Sequence, residues 1–158
     1  MAEHKKFIFE KTVYLRDTNA EGNVYFANYF LWQGEAREEF FRMAIPEHQR
    51  LMEAGLRIIT VEAAIEYKHE SHLFDVIQIE VVPYNVKRMT FELAFKFLNK
   101  QTGQLIADGR QRIAFADVKR NTLVPIPDEF YLQGHGYLQE VEQAKVKTWM
   151  AVKGLFNK

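Results

Sequence analysis

The stretch LRDTNAEGNVYFANYFLWQGEAREEFF, Leu15 to Phe41, decides how this chain is read. It sets a polar, turn-prone cluster against a run rich in aromatics. DTNAEGN, 17–23, consists of residues that tolerate turns and hydrogen-bond their own backbone. From about Tyr25 to Met43 the period becomes helical. Phe26, Tyr29, Phe30, Gln33, Ala36, Phe40 and Met43 recur at three- and four-residue spacing and predict one buried face. Asn23 is the expected N-cap. Gly34 inside the helix costs about 1 kcal/mol relative to Ala, which close contact with another backbone would explain. Pro46 closes the run, and PEHQRLMEAG predicts a short second helix ending at Gly55.

On the N-terminal side, FIFEKTVYL, Phe7 to Leu15, alternates with period two and predicts a strand. On the C-terminal side three more segments alternate, around 61–68, 77–81 and 88–97. NKQTG, Asn99 to Gly103, predicts a hairpin turn, and a last strand is expected from about Gln104 to Asp117. PIPDEF breaks regular structure, and the tail from about Gly136 to Leu155 is amphipathic and expected to be helical. One helix with an apolar face and one antiparallel sheet make a two-layer α+β domain. No repeat, linker or low-complexity segment interrupts it, so residues 1–158 are read as a single domain.

Composition narrows the function classes. The chain has 158 residues, of which 47% are hydrophobic and 27% charged, enough apolar content for a sizeable core. A formal net charge of +0 argues against a nucleic-acid surface and against a polybasic membrane anchor. It also offers little colloidal repulsion, so a homo-oligomer is expected. The absence of cysteine excludes disulfides, thiolate metal sites and a Cys nucleophile. No apolar run approaches the roughly 18 residues of a membrane span, and MAEHKKFIFEK carries no apolar signal region. A cytoplasmic location is the expectation. The 13 Phe and 7 Tyr suit a Phe-packed core or, beyond that, a long apolar ligand channel.

At Asp17 to Phe41 the sequence resembles the hotdog-fold thioesterases of the 4-hydroxybenzoyl-CoA thioesterase type. Their signature is D-x-D-x-x-G-x-x-x-x-x-x-Y followed by a helix. DTNAEGNVYFANY matches it at Asp17, Gly22, Asn28 and Tyr29, and ADGRQRIAFAD resembles the family's last strand. The resemblance implies a long helix wrapped by a five-stranded antiparallel sheet. It also implies subunits paired edge to edge with the site between them, as a dimer or tetramer.

One departure narrows it further. The family's catalytic carboxylate falls on Asn19. NVYFANYFLWQGEAREEF resembles the enediyne polyketide thioesterases, in which Asn replaces that carboxylate and a helix Arg is functional. The matching residues are Asn19 and Arg37. The resemblance implies hydrolysis of a long polyene acyl thioester carried on the acyl carrier protein domain of an iterative polyketide synthase. No metal or cofactor is implied.

The chemistry can be weighed from the residue types. A carboxylate acts as base or nucleophile, and Asn19 does neither. Its amide can donate an N–H to a developing oxyanion or accept water's proton on its carbonyl. Backbone amides at the helix start, near Phe26 by family analogy, are oxyanion donors at a helix end carrying roughly half a positive charge. An oxyanion donor is worth about 10²–10³ in rate and a general base about 10²–10⁴, so slow turnover is expected. A 3-oxoacyl thioester, if that is the substrate, is the more electrophilic.

Tyr29 is expected near the thioester, or else as a buried aromatic with a satisfied hydroxyl. Asp17 is read as capping the loop, and Glu35 and Glu39 as a solvated face. Arg37 lies roughly 16 Å along the axis from Phe26, so it serves a site completed by the partner subunit or the helix begins later. Gly22, Tyr25, Phe30 and Gln33 are the candidate acyl-binding residues. Lys87 and Arg88 are candidates for a phosphopantetheine phosphate or an acidic carrier protein, ahead of Arg110 and Arg112. His69 and His72 lack a third ligand, so no metal site is expected. Two other readings remain open: a general acyl-CoA thioesterase, and a non-catalytic acyl-binding module. A dehydratase is disfavoured because no His lies in the motif.

Overall fold

The computed structural model describes residues 4–155. Strand β1 (Phe7–Thr12) leads through a 3-10 turn at Leu15–Asp17 into helix α1 (Ala27–Ala44) and the short α2 (His48–Glu53). Four long strands follow: β2 (Leu56–Tyr67), β3 (Val76–Tyr84), β4 (Thr90–Asn99) and β5 (Leu105–Asp117). A short β6 (Thr122–Val124), helix α3 (Asp128–Gly134) and helix α4 (Glu140–Val152) complete the chain. The five long strands form one antiparallel sheet in the order β1-β3-β4-β5-β2. β4 pairs with β5 no further than Ala114, and β6 takes over the pairing at Phe115–Asp117. The sheet therefore has a sixth, short strand beyond the five expected. No described helix is long and apolar enough to cross a membrane.

The period-two pattern puts alternate side chains on the face toward α1. Ile77, Ile79 and Val81 from β3, Leu93, Phe95 and Phe97 from β4, and Ile113 and Phe115 from β5 are all buried there. α1 answers with Tyr29, Trp32, Ala36, Phe40, Phe41 and Ala44. Its aromatic rings meet the sheet edge-on, Tyr29 on Phe97 at 5.6 Å and Phe41 on Phe91 at 6.2 Å between centroids. Such pairs add about 0.5–1.5 kcal/mol each beyond the area they bury. This is the hotdog architecture, a long helix wrapped by an antiparallel sheet.

Several sequence expectations are corrected. β1 ends at Thr12 rather than Leu15, because Asp17 closes a turn on Tyr14. α1 starts at Ala27, and Asn23 is not its cap. Phe26 takes that position in helical conformation with no side-chain cap, while Asn23 bridges to His72. The buried stripe of α1 is rotated from the one expected. Phe30 and Met43 are 40% and 56% exposed, and Trp32 and Phe41 are buried instead. A Cβ at Gly34 would meet nothing within 4 Å, so no backbone of this chain explains that glycine. Close approach is needed at Gly109 instead. In PIPDEF only Pro125, Ile126 and Pro127 are irregular, since Asp128 begins α3.

Candidate active site

The loop between β1 and α1 is tied down at both ends by Asp17. Its carboxylate accepts the Tyr14 N–H at 2.9 Å. Its carbonyl accepts the Tyr25 N–H at 3.0 Å and Asn28 Nδ2–H at 2.8 Å. Asp17 is thus a structural cap that fixes the loop against the head of α1. Within the loop, the Asn19 N–H donates to the Asn23 carbonyl and the Gly22 N–H to the Asn19 carbonyl. Gly22 sits at φ +86, a conformation that suits glycine. Asn19 Oδ1 accepts the Glu21 N–H at 2.9 Å. The two chemical roles open to Asn19 are therefore unequal. Its carbonyl is engaged by the turn, and its NH2 group, bonded to nothing among the described residues, is the free face.

The head of α1 presents donors beside this loop. Among the described residues the N–H groups of Phe26 and Ala27 have no hydrogen-bond acceptor. These are the orphan donors of a helix start, where the helix dipole favours negative charge. The Phe26 carbonyl is fixed by the Tyr67 hydroxyl, which donates to it at 2.9 Å. A cleft of about 270 Å³ opens here, lined by Asn23, Val24, Phe26, Tyr29, Tyr67, Lys68, His69 and Glu70. Tyr29 is buried, and burial pushes its phenol above the usual tyrosine range, so it stays a protonated donor. Ser71, fully buried beside it, faces the Tyr29 hydroxyl and pulls that shift part of the way back.

Arg37 lies elsewhere on α1. Ten residues past Ala27, it is about 15 Å down the helix axis from the first turn. Its Nη1 donates to Thr60 Oγ1 at 2.5 Å and to Gln111 Oε1 at 3.2 Å. It therefore sits over the β2–β5 ladder, where Ala63 pairs with Gln111, and β2 is the outer edge of the sheet. Gln33, one turn back, is 0% exposed, with both amide atoms unpaired and its Oε1 packed on Gly109.

The structure thus brings Phe26 and Tyr29 together in the cleft, with Asn19, Gly22 and Tyr25 in the adjoining loop. Phe30 is outside the cleft on the exposed flank of α1. Lys87 and Arg88 are not brought to it. They occupy the β3–β4 hairpin at the far end of the sheet, where Arg88 stacks on Trp149 at 4.9 Å and the Lys87 carbonyl accepts the Tyr131 hydroxyl. His69 Nδ1 bonds the Leu105 carbonyl, and His72 lies 3.8 Å from Glu70. Sequence reasoning missed Tyr67, Thr60, Gln111 and Gly109. One signal was available: Gln111 breaks the apolar inward set of β5, in register with Ile113 and Phe115.

Comparison with known proteins bears on the family and the fold. The profile of the Thioesterase-like superfamily matches residues 13–134. A putative esterase of Aquifex aeolicus is 28% identical over 78% of this chain and 93% of its own. A 1,4-dihydroxy-2-naphthoyl-CoA hydrolase of Thermosynechococcus vestitus is 27% identical over 76% and 82%, and an acyl-CoA thioesterase of Haemophilus influenzae is 28% identical over 78% and 90%. Among solved structures, the dynemicin thioesterase, studied for induced-fit and allosteric effects upon polyene binding, superposes with a TM-score of 0.79. It shares 26% identity and covers 85% of this chain and 99% of its own. With the family match spanning the loop, α1 and strands β2 to β6, the chain belongs to the thioesterase-like superfamily and is a hotdog-fold thioester hydrolase.

Proposed function

We propose that the chain hydrolyses a long polyene acyl thioester, of 3-oxoacyl type, carried on the acyl carrier protein of an iterative polyketide synthase of the enediyne kind. The observation that carries this reading is the pair of unbonded amides at Phe26 and Ala27 beside a loop that offers Asn19 where the family's carboxylate belongs. Water attacks the carbonyl carbon, the carbonyl oxygen takes the negative charge, and the C–S bond breaks as the thiol leaves with a proton. The two amides and Asn19 Nδ2 stabilise that oxyanion, and the Tyr29 hydroxyl donates beside it. No side chain takes water's proton, so the rate forgoes the roughly 10²–10⁴ of a general base.

Arg37 is too far down its own helix to reach this point. Edge pairing of two copies through β2 would run their helices antiparallel, and Arg37 of the partner subunit would then serve the first subunit's site. The working unit is a homodimer, or a tetramer of such pairs. Gly22, Tyr25, Phe30 and Gln33 shape the acyl path, and the exposed Lys87 and Arg88 are left for the carrier protein or its phosphopantetheine. The reaction needs no metal or cofactor, and a synthase-borne substrate places it in the cytoplasm.

The acyl-CoA alternative is favoured by the names of two relatives, both coenzyme A thioester hydrolases. Hydrolysis of matched CoA and carrier-protein thioesters separates the two. Product analysis with the synthase, comparing wild type with Asn19→Ala and Arg37→Ala, tests the site. Both variants should lose at least tenfold in released acid. Acyl release at the background rate by the wild type would leave only an acyl-binding module.

A further inference from the structure

The Arg37 guanidinium is held in an unusual way. It makes no ion pair with any described residue, although it is half-buried and its Nε is buried without a partner. Its two acceptors are a hydroxyl and an amide, Thr60 Oγ1 and Gln111 Oε1, both uncharged. Gln33, one turn back on the same face, is also neutral and unpaired. Among the described residues the acid whose field reaches Arg37 is Glu38, its neighbour in sequence on the exposed side of α1. The contrast lies on the same strand. Arg112, one residue from Gln111 but on the opposite face of β5, is held by the carboxylates of Glu62 and Glu92.

A purely structural arginine at this position would be better served by a carboxylate or replaced by an apolar side chain, because an uncompensated charge under a helix is costly. Neutral acceptors do something a carboxylate cannot. They aim the planar guanidinium and leave its whole positive charge for a group that arrives later. We propose that Gln111 and Thr60 are positioning residues that orient Arg37 while keeping its charge uncompensated for the thioester's developing negative oxygen. This rests on the functional role assigned to Arg37 above. It adds that the neutrality of the two holders is itself required.

The test is Gln111→Glu, with decanoyl thioesters of coenzyme A and of a carrier protein as probes and thiol release as the readout. A carboxylate at 111 pairs with Arg37, so thermal stability should rise while kcat falls about 10- to 100-fold, the scale of one oxyanion-stabilising group. Thr60→Val should lower kcat several-fold with little change in KM. Adding Gln111→Glu to Arg37→Ala should cost nothing further, since both act through one guanidinium. The proposal is overturned if Gln111→Glu keeps wild-type kcat while Arg37→Ala is impaired, if the two losses add, or if Gln111→Glu loses activity and stability together. If Arg37→Ala itself turns over like wild type, the reading of the site fails first, and that outcome is distinct from the other three.

Discussion

An alanine at 109 would place its Cβ 1.8 Å from Oε1 of Gln33 and 3.4 Å from Phe95 Cβ. No real contact is that short, so Gln33 or β5 has to move. Gly109→Ala should therefore cost about 1–3 kcal/mol, as overpacking does, read as a lower midpoint in chemical denaturation. Gln33→Met should go the other way. It keeps the side-chain length and removes two buried amide atoms that have no partner, each of which costs about 1–3 kcal/mol when left unsatisfied. A higher midpoint with lower kcat would mark Gln33 as kept for function; a lower midpoint would mean its amide is satisfied in the resting protein. Neither residue stands out in the sequence. Glycine in a strand signals close approach, but not what approaches, and the helix wheel placed Gln33 inward without giving it a neighbour.

At the scale of elements, α2 and α4 show how short pieces close the core. His48 of α2 lies against the rings of Phe41 and Phe130, at 5.6 and 6.4 Å. Burial there disfavours its charged form and holds its pKa below the ordinary histidine value, against a weaker pull from Glu38. A base whose native pKa is lowered binds fewer protons when folded than when unfolded. Its contribution to stability is thus present above the unfolded value of about 6.5 and is lost as pH falls from there through the native pKa. Wild type should lose more thermal stability than His48→Phe between pH 7.5 and 5, measured by melting at each pH.

α4 lies outside the family match, which ends at 134. Even so, it buries Val146 and Met150, and its Glu142 accepts the Val86 N–H of the β3–β4 hairpin. Met150→Ala should cost about 2–5 kcal/mol in a single cooperative transition if α4 is part of the core. A separate early transition would show it to be an appendage. The tail helix itself was legible from its period. Its partner, the hairpin at Val86, 56 residues back from Glu142, was not, because nothing local in either segment encodes the other.

At the scale of the whole molecule, the described residues leave one flank uncovered. The head of α1 and the outer strand β2 expose Phe26, Phe30, Leu31, Val61 and Tyr67, and β2 has a free backbone edge along twelve residues. A long edge strand is a template for pairing unless something covers it. With a net charge of +0 there is no long-range repulsion to oppose a second copy. Sedimentation should find at least a dimer at micromolar concentration. Leu31→Lys, at a position 60% exposed, should shift it toward monomer and lower the hydrolysis rate in parallel. A fully active monomer would exclude Arg37 of the partner subunit from the site.

Across these scales, periodicity and motif settled more than they usually can. The alternation in β3, β4 and β5 and the helical run of α1 follow from which side chains must leave water, and the DTNAEG turn from side chains that bond their own backbone; both rules act over a few neighbouring residues. The places where the expectation failed were set at a distance. The start of α1 depends on Tyr25 bonding Asp17. The aim of Arg37 depends on the register that sets Ala63 against Gln111, and the room for Gln33 depends on a glycine 76 positions away at Gly109. Local hydrophobic pattern determined the elements, and the resemblance of DTNAEGNVYFANY to the family motif gave the address of Asn19 and Tyr29. Only the folded sheet, by choosing which distant residues meet, decided what holds Arg37 and leaves its charge free.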